Sequence, residues 1–258
     1  MAGQGTSSQS VHIISKMKRA ATLLLIIISS TLIAQDAVRK QAAVDFSNVN
    51  ETYSSTPLLK MNVSYALFPS YTSTAAFEKS SGVFMKNGND TYSNLLGIVS
   101  ISNRNVSVTL DSNEKVIVVA NPPSRKKQSP SLIDVDTMLS QCSGIEYKEL
   151  EGGLKYYKLR FDGIPFSEYN AVEIYIDGKT NFISRLMLYY RVEIDLDEEG
   201  PACSKDRPRL EIVYTNVDTR PVFPQDQFSE SKMIRASGKT YIAAPAYSKY
   251  RVINNKIR

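Results

Sequence analysis

The hydrophobic positions of this chain follow a helical period in one early segment and a strand period through most of what comes after. Between Asp36 and Tyr53 apolar residues recur at three- and four-residue spacing, while charged residues fall mostly on the other faces. Ser54-Ser55-Thr56-Pro57 then ends the pattern with residues that favour turns. The segment is predicted to be an amphipathic helix that packs its apolar side on a sheet. That side consists of Val38, Ala42, Phe46, Val49 and Tyr53.

From Leu58 the period changes to two, which places Met61, Val63, Tyr65 and Leu67 on one face of a strand. Further alternating or apolar segments follow as far as Val119, and Asn87-Gly88 is a strong hairpin signal between two of them. This part of the chain is predicted to be a meander of about five strands. The strands after the first are expected at Gly82–Lys86, Thr91–Ser102, Val106–Leu110 and Val116–Val119.

A polar, proline-containing segment from Asn121 to Pro130 interrupts the strands and contains Arg125, Lys126 and Lys127. These three bases are a candidate contact with an anionic membrane surface. A solvated loop is the alternative interpretation. Ser131 then resembles an N-cap, and it predicts a short helix with Leu132, Val135, Met138 and Leu139 on one face.

The second half returns to strands. A hairpin about Glu151-Gly152-Gly153 and a strand from Val172 to Ile176 precede the longest alternating segment, which runs from Phe182 to Asp197. Its apolar face includes Leu186, Leu188 and Tyr190. Ordinary strands have about 5–6 residues, so a strand of this length with one apolar face is expected to bend around other elements. Another strand carries Leu210, Ile212 and Tyr214, and an aromatic segment containing Tyr241, Tyr247, Tyr250 and Val252 ends the chain.

Residues 17–34 have the three parts of a secretory leader. Met17-Lys18-Arg19 is a basic start, an apolar core follows, and Ala34 is a small residue before the polar Gln35-Asp36. A membrane anchor is the alternative, but the apolar run is shorter than the roughly 20 residues that span a bilayer. We therefore expect residues 1–16 to be an upstream extension, 17–34 a cleaved signal peptide and 35–258 a single periplasmic domain.

Removal of the leader changes which chemistry the chain can perform. It takes away His12, the single histidine, so a mature chain could run neither a Ser-His-Asp nor a Cys-His mechanism and could build no His-ligated zinc site. It also removes three of the 31 Lys and Arg, leaving 28 against 26 acids and a net charge of +2. Nucleic-acid binding is therefore not predicted. No cofactor is predicted either, because the chain has no P-loop and no GxGxxG followed by a helix.

Two cysteines remain, Cys142 and Cys203. In an oxidising compartment such a pair is expected to form a disulfide, which would stabilise the fold by about 4 kcal/mol in the chain-entropy model. Two unpaired structural thiols are the alternative.

One acidic run is compatible with a metal, since oxygen ligands suit calcium, and it includes Glu193, Asp195, Asp197, Glu198 and Glu199. The solvated outer face of a strand explains the same run, and no metal site is predicted. A pair of carboxylates acting as a His-free hydrolase is a third hypothesis, which no local motif supports.

The first hairpins resemble those of a known family. Tyr65-Ala66-Leu67-Phe68 is followed by Gly82-Val83-Phe84-Met85-Lys86-Asn87-Gly88-Asn89, then by Tyr92 with Ser93-Asn94-Leu95-Leu96, and later by Val106-Ser107-Val108-Thr109-Leu110-Asp111. These runs are similar to those of the periplasmic lipoprotein carriers and receptors of the LolA/LolB type. The resemblance implies an α+β fold: a long, strongly curved antiparallel sheet in an incomplete barrel, with helices covering its concave face.

The resemblance also implies a non-enzymatic carrier or binding protein for a lipid, an acyl chain or a lipidated protein. The alternative is an envelope interaction or assembly protein with the same fold and a filled core. No functional residue of the family matches a motif here, so the candidate ligand wall follows from strand alternation alone. It consists of Met61, Val63, Tyr65, Leu67, Leu186, Leu188 and Tyr190.

Overall fold

The computed structural model describes residues 35–122, 135–164, 167–193, 207–238 and 240–255. Several predicted features lie outside these ranges and stay predictions. They are the upstream extension 1–16, the signal peptide 17–34, the basic residues Arg125, Lys126 and Lys127, the predicted N-cap Ser131 with Leu132, the acids Asp195, Asp197, Glu198 and Glu199, and Cys203.

Strands dominate the described residues, and two helices accompany them, α1 over residues 35–55 and α2 at Val135–Gln141. The strands are β1 Leu58–Phe68, β2 Glu78–Asn87, β3 Asp90–Leu95, β4 Ile98–Ser102, β5 Ser107–Asp111, β6 Val116–Ala120, β7 Gly144–Leu150, β8 Leu154–Arg160, β9 Tyr169–Asp177, β10 Ile183–Tyr190, β11 Arg209–Asp218, β12 Ile234–Ser237, β13 Thr240–Ala243 and β14 Arg251–Asn254.

One sheet contains twelve of these strands in the order β14-β6-β5-β4-β3-β2-β1-β11-β10-β9-β8-β7. Neighbours are antiparallel except β14, which runs parallel to β6. The terminal strands of this order, β14 and β7, do not pair with each other, so the sheet is not closed. The predicted fold class, an α+β incomplete barrel built on a long antiparallel sheet, is confirmed.

Helix α1 packs on one face of the sheet, which we call the inner face. Its predicted apolar side is confirmed, because Ala42, Phe46, Val49 and Tyr53 are all buried in one hydrophobic cluster with residues of the strands and of α2. The ring centroids of Phe46 and Tyr157 lie 5.1 Å apart in an edge-on arrangement, and those of Tyr53 and Phe182 have the same separation. The strand residues of the cluster include Leu59, Met61, Val63, Leu159, Val172, Ile174, Leu186 and Ile212.

A buried carboxylate fixes where α1 lies on the sheet. Asp45 is 2% exposed, its Oδ1 lies 2.7 Å from Lys155 Nζ, and its Oδ2 accepts a hydrogen bond from the Tyr157 hydroxyl. Gln41, one turn earlier, donates to the same Oδ2 at 3.2 Å. Lys155 and Tyr157 are two positions apart on β8, so their side chains lie on the same side of the strand. Both donors therefore reach the helix from the inner face.

The two ends of α1 are attached as well. Lys86 of β2 donates from its buried Nζ to the Tyr53 carbonyl at 2.5 Å and to the Ser54 carbonyl at 3.3 Å. A cation there satisfies carbonyls that the last turn leaves free and complements the helix dipole. Near the other end, Arg39 donates to the carbonyls of Leu139 and Cys142 at 2.9 and 3.2 Å, which ties α1 to the end of α2.

A second hydrophobic cluster lies on the opposite, outer face, over β4–β6. Strand register places Ile101 opposite Val108, and Val108 opposite Val119, all on the face away from α1. The C-terminal segment covers them with the buried Met233 and Ile234 and with four residues of the predicted aromatic segment. These four are Tyr241, Tyr247, Tyr250 and Val252.

Two predicted strands are wrong in extent. Thr91–Ser102 is not one strand, because a turn at Leu96-Gly97 divides it into β3 and β4, and the first half of the chain therefore has six strands before residue 121 rather than about five. The long strand from Phe182 ends at Tyr190. Beyond it, Arg191 donates its backbone N–H to the Glu168 carbonyl and its guanidinium to the Phe161 carbonyl. The chain thus leaves the sheet, and Val192 is 66% exposed.

The structure explains why Gly82, the first residue of the hairpin run Gly82–Asn89, is a glycine. It pairs with Val63, and a Cβ built on it would lie 1.9 Å from the Asn94 carbonyl oxygen. No side chain fits at that distance, so the close approach of β2 and β3 at this point requires glycine.

We expect Asp45→Ala to destabilise the fold by about 3 kcal/mol, the lower end of the cost of breaking a buried ion pair from one side. The substitution leaves Lys155 and Tyr157 without their acceptor. Urea unfolding followed by circular dichroism measures the change, and Glu51→Ala, at an exposed position of the same helix, is the control. Equal stability of the two variants would contradict the role given to Asp45.

The same carboxylate predicts how stability depends on pH. Burial raises the pKa of Asp45, but hydrogen bonds from Lys155, Tyr157 and Gln41 outweigh it and hold the pKa below its ordinary value of 3.8. A lowered folded-state pKa stabilises above the unfolded pKa and loses that contribution as pH falls through the folded one. The stability difference between wild type and Asp45→Asn should therefore stay constant above about pH 5 and shrink as the pH falls below it, through the unfolded pKa of about 3.9 and on through the lower folded pKa. A difference that stays constant over the whole range would rule the linkage out.

Candidate functional site

Two adjoining cavities open on the inner face, in a region that α1 does not cover. The larger has a volume of about 360 Å³ and the smaller about 260 Å³. Their lining residues come from strands and from the β3–β4 turn, and none belongs to α1. Four residues line both, so the two form one groove. The shared residues are Tyr65, Leu96, Tyr190 and Leu210.

Strand register explains why apolar side chains line one side of this groove. Tyr65 pairs with Ile212, and Leu67 pairs with Leu210, so β1 and β11 present these four residues to the same face. Leu188 of β10 continues the second row because it pairs with Leu210. Tyr169 and Tyr190 lie beside this row with ring centroids 5.3 Å apart. This side of the groove is therefore a nearly continuous apolar surface.

The predicted ligand wall divides into two groups. Tyr65, Leu67, Leu188 and Tyr190 line the groove. Met61, Val63 and Leu186 line neither cavity; they belong, with Tyr65 and Leu188, to the hydrophobic cluster that packs against α1. A role of the first group in ligand binding stays a prediction.

The opposite side of the groove comes from β3, β4 and the turn between them, which strand alternation had not predicted to line a site. It contributes Ser93, Leu95, Leu96, Ile98 and Ser100. The turn reverses which alternate residues face inward, so treating Thr91–Ser102 as one strand assigns the wrong face after Leu96. The glycine at position 97 was the available signal, because Leu-Gly is an unusual version of a two-residue hairpin turn.

Leu96 has a conformation that its residue type does not favour. Its φ is +53°, in the left-handed region, and its side chain is 47% exposed at the edge of the groove. Within the described ranges three other non-glycine residues have positive φ, namely Lys115, Asn181 and Asn216. Asparagine is a common choice at such positions, whereas leucine costs about 1–2 kcal/mol. The leucine side chain at the edge of the groove is thus kept at a position whose left-handed backbone disfavours leucine.

Few polar groups line the groove, and they are almost all uncharged. Tyr65 is 7% exposed, burial raises the pKa of its phenol, and its hydroxyl has no hydrogen-bond partner among the described residues. Ser93 and Ser100 lie on the opposite side. Glu78 is the one charged side chain in the described lining of the two cavities.

The buried carboxylates do not form a catalytic pair. In the described part of the chain these are Asp45 and Glu173. Asp45 lies on the inner face, whereas Glu173 of β9 lies on the outer face, where Lys158 and the Tyr189 hydroxyl contact it at 3.0 and 3.1 Å. The sheet separates the two groups, so they cannot act together on one bond.

Cys142 is buried as a free thiol in the structure, with Sγ 3.3 Å from the Leu139 carbonyl oxygen. Burial raises the pKa of this thiol despite the nearby Arg39. Because Cys203 lies outside the described residues, the Cys142–Cys203 disulfide stays a prediction.

The described ranges contain no group of three or more His, Cys, Asp or Glu arranged to hold a metal ion. Nor does any described helix have the length and apolar character needed to cross a bilayer.

No protein-family model matches the chain, and no curated protein is significantly similar to it. Several solved structures are similar to it at low identity and low TM-score. An uncharacterised conserved protein from Thermus thermophilus has 12% identity and a TM-score of 0.41, covering 81% of this chain and 98% of that one. Lipoprotein LppX from Mycobacterium tuberculosis has 10% identity and a TM-score of 0.37, covering 71% and 98%.

A LolA superfamily protein from Nitrosomonas europaea has 10% identity and a TM-score of 0.31, covering 73% of this chain and 97% of that chain. The predicted resemblance is therefore matched among solved structures. At these values the likeness carries no argument about what this chain binds.

Proposed function

We propose that this chain is a non-enzymatic carrier or binding protein for an apolar ligand: a lipid, an acyl chain or a lipidated protein. One observation carries the proposal, the groove on the inner face that α1 leaves uncovered. The larger cavity, at about 360 Å³, is within the range of about 300–1,000 Å³ that small-molecule sites occupy. Its apolar lining includes the exposed Leu96 and Ile98 and the partly buried Leu210, and an alkyl chain laid there would remove this surface from water.

The shape of the site fits a long, thin ligand better than a compact one. The two cavities adjoin along Tyr65, Tyr190 and Leu210, so a chain could extend from one into the other. Leu96 lines both cavities and would contact part of such a chain. The likeness to other solved structures is not needed for this argument.

The alternative function, an envelope interaction or assembly protein with a filled core, has an observation in its favour. Helix α1 fills the inner face over Met61, Val63 and Leu186, so part of the predicted wall is closed. The two functions make different predictions about the rest of the face. A carrier takes up alkyl ligands in the remaining groove, whereas an assembly protein leaves it empty.

Location and partners follow from the sequence and belong to the proposal. The leader at 17–34 supports a periplasmic protein, and the basic residues Arg125, Lys126 and Lys127 would allow contact with an anionic membrane surface.

A charge placed in the groove should abolish ligand uptake. Leu210 lines both cavities, and an unpaired lysine there would have to be buried against the alkyl chain. We expect Leu210→Lys to weaken binding of a fluorescent fatty acid at least about tenfold, which corresponds to 1.4 kcal/mol. Val217→Lys, at an exposed position of the same strand, is the control. Wild-type uptake by a folded Leu210→Lys protein would contradict the proposed site.

Leu96→Asn should change stability and binding in opposite directions. Asparagine tolerates the left-handed backbone, so we expect the free energy of unfolding to rise by up to about 1 kcal/mol. Loss of the apolar leucine side chain from the groove should weaken fatty-acid binding. Lys115→Asn is the matched control, because its φ is +52° and it lines neither cavity. It should gain stability without losing affinity. Unchanged affinity in Leu96→Asn would show that the leucine takes no part in binding.

A further inference from the structure

The two sides of the groove differ in chemistry as well as in the strands that form them. Opposite the apolar side, Ser93 pairs with Ser100, and Ser100 pairs with Thr109, so β3, β4 and β5 carry a row of hydroxyls across the inner face. Ser93 and Ser100 line the larger cavity. Ser100 Oγ and Thr109 Oγ1 lie 3.3 Å apart, within hydrogen-bond distance, whereas the Ser93 hydroxyl has no partner among the described residues.

These hydroxyls are more than the solvated side of an ordinary strand pair. The outer face of β4 and β5 is buried by the C-terminal segment, so alternation alone would place polar residues inward. Here, however, that polar side faces Leu188, Leu210 and Ile212 across one cavity. Tyr65 adds a phenol to the same lining. The hydroxyls of Tyr65 and Ser93 are not among the buried unpartnered atoms of the described residues, so both are accessible to a bound head group. A ligand that carries hydroxyls can replace the water bound to these groups.

The charge of the residues that line the groove determines which kind of ligand head group fits there. No lysine or arginine lines either cavity in the described residues, and the one charged lining residue is the acid Glu78. Proteins hold phosphate and carboxylate groups with arginine, lysine or backbone N–H groups, and an anionic head near Glu78 would be repelled. Serine and tyrosine hydroxyls instead both donate to and accept from hydroxyl groups.

We infer that the groove takes an amphiphile with an uncharged, hydroxyl-bearing head, of the glycerol or sugar type. Its alkyl chain lies against Leu188, Leu210 and Ile212, and its head hydrogen-bonds to Tyr65, Ser93 and Ser100. This assignment rests on the proposed function, because it specifies the ligand of the same groove.

Calorimetric titration with matched amphiphiles tests the inference. Dodecyl chains carrying a glucoside, a glycerol ester, a phosphate, a carboxylate or a trimethylammonium group are titrated below their critical micelle concentrations. We expect the two uncharged heads to bind about tenfold more tightly than the charged ones, the effect of one to two net hydrogen bonds.

Ser93→Ala/Ser100→Ala should lower the affinity for the glucoside and the glycerol ester to that of the charged ligands, and Tyr65→Phe should lower it in part. Ser64→Ala, on the outer face of β1, is the control and should keep the wild-type preference. Equal affinity for all five ligands, a preference for a charged head, or a preference that persists in the double variant would overturn the inference and leave the proposed function intact. Failure of every ligand to bind would overturn both.

Discussion

The position of α1 depends on the buried carboxylate of Asp45. A carboxylate taken out of water is costly unless donors surround it, and here Lys155, Tyr157 and Gln41 provide them. Because two of these donors stand on β8, the helix cannot slide or rotate without losing them. Lys86 and Arg39 hold its two ends. The apolar side of α1 supplies most of the burial, and these polar contacts determine where on the sheet that burial happens.

The groove follows from this placement. Helix α1 covers the inner face over Met61, Val63 and Leu186, and the inner face beside Tyr65, Leu188 and Leu210 stays open. At the same time the sheet is packed on its inner face at one end of the strand order and on its outer face over β4–β6. The change of packed face leaves hydroxyls facing inward on β3–β5, opposite apolar residues of β1, β10 and β11. One open sheet thereby presents two different chemical surfaces to the same groove.

Much of the fold could be predicted because its signals are local. The stripe from Ala42 to Tyr53 specified α1, and alternation specified β1, β9 and β11. The division of Thr91–Ser102 was missed because Leu96 is a poor match to the usual turn residues, and the end of β10 at Tyr190 was missed because alternation continues in the sequence beyond it. Just beyond Tyr190 the Arg191 guanidinium donates to the carbonyls of Phe161 and Ile164, contacts distant in sequence that no period reveals. Only part of the candidate wall lines the groove for a similar reason: alternation identifies a face, and only packing shows which part of it α1 covers.

Photolabelling with an alkyl probe that carries a diazirine along its chain tests the central claim most directly. After irradiation, the labelled residues are identified by peptide mass spectrometry. The account predicts labels on the strands that carry Tyr65, Leu188, Leu210 and Ile212, and competition by unlabelled alkyl ligand. Labels confined to the outer face, or none that unlabelled ligand competes away, would contradict it.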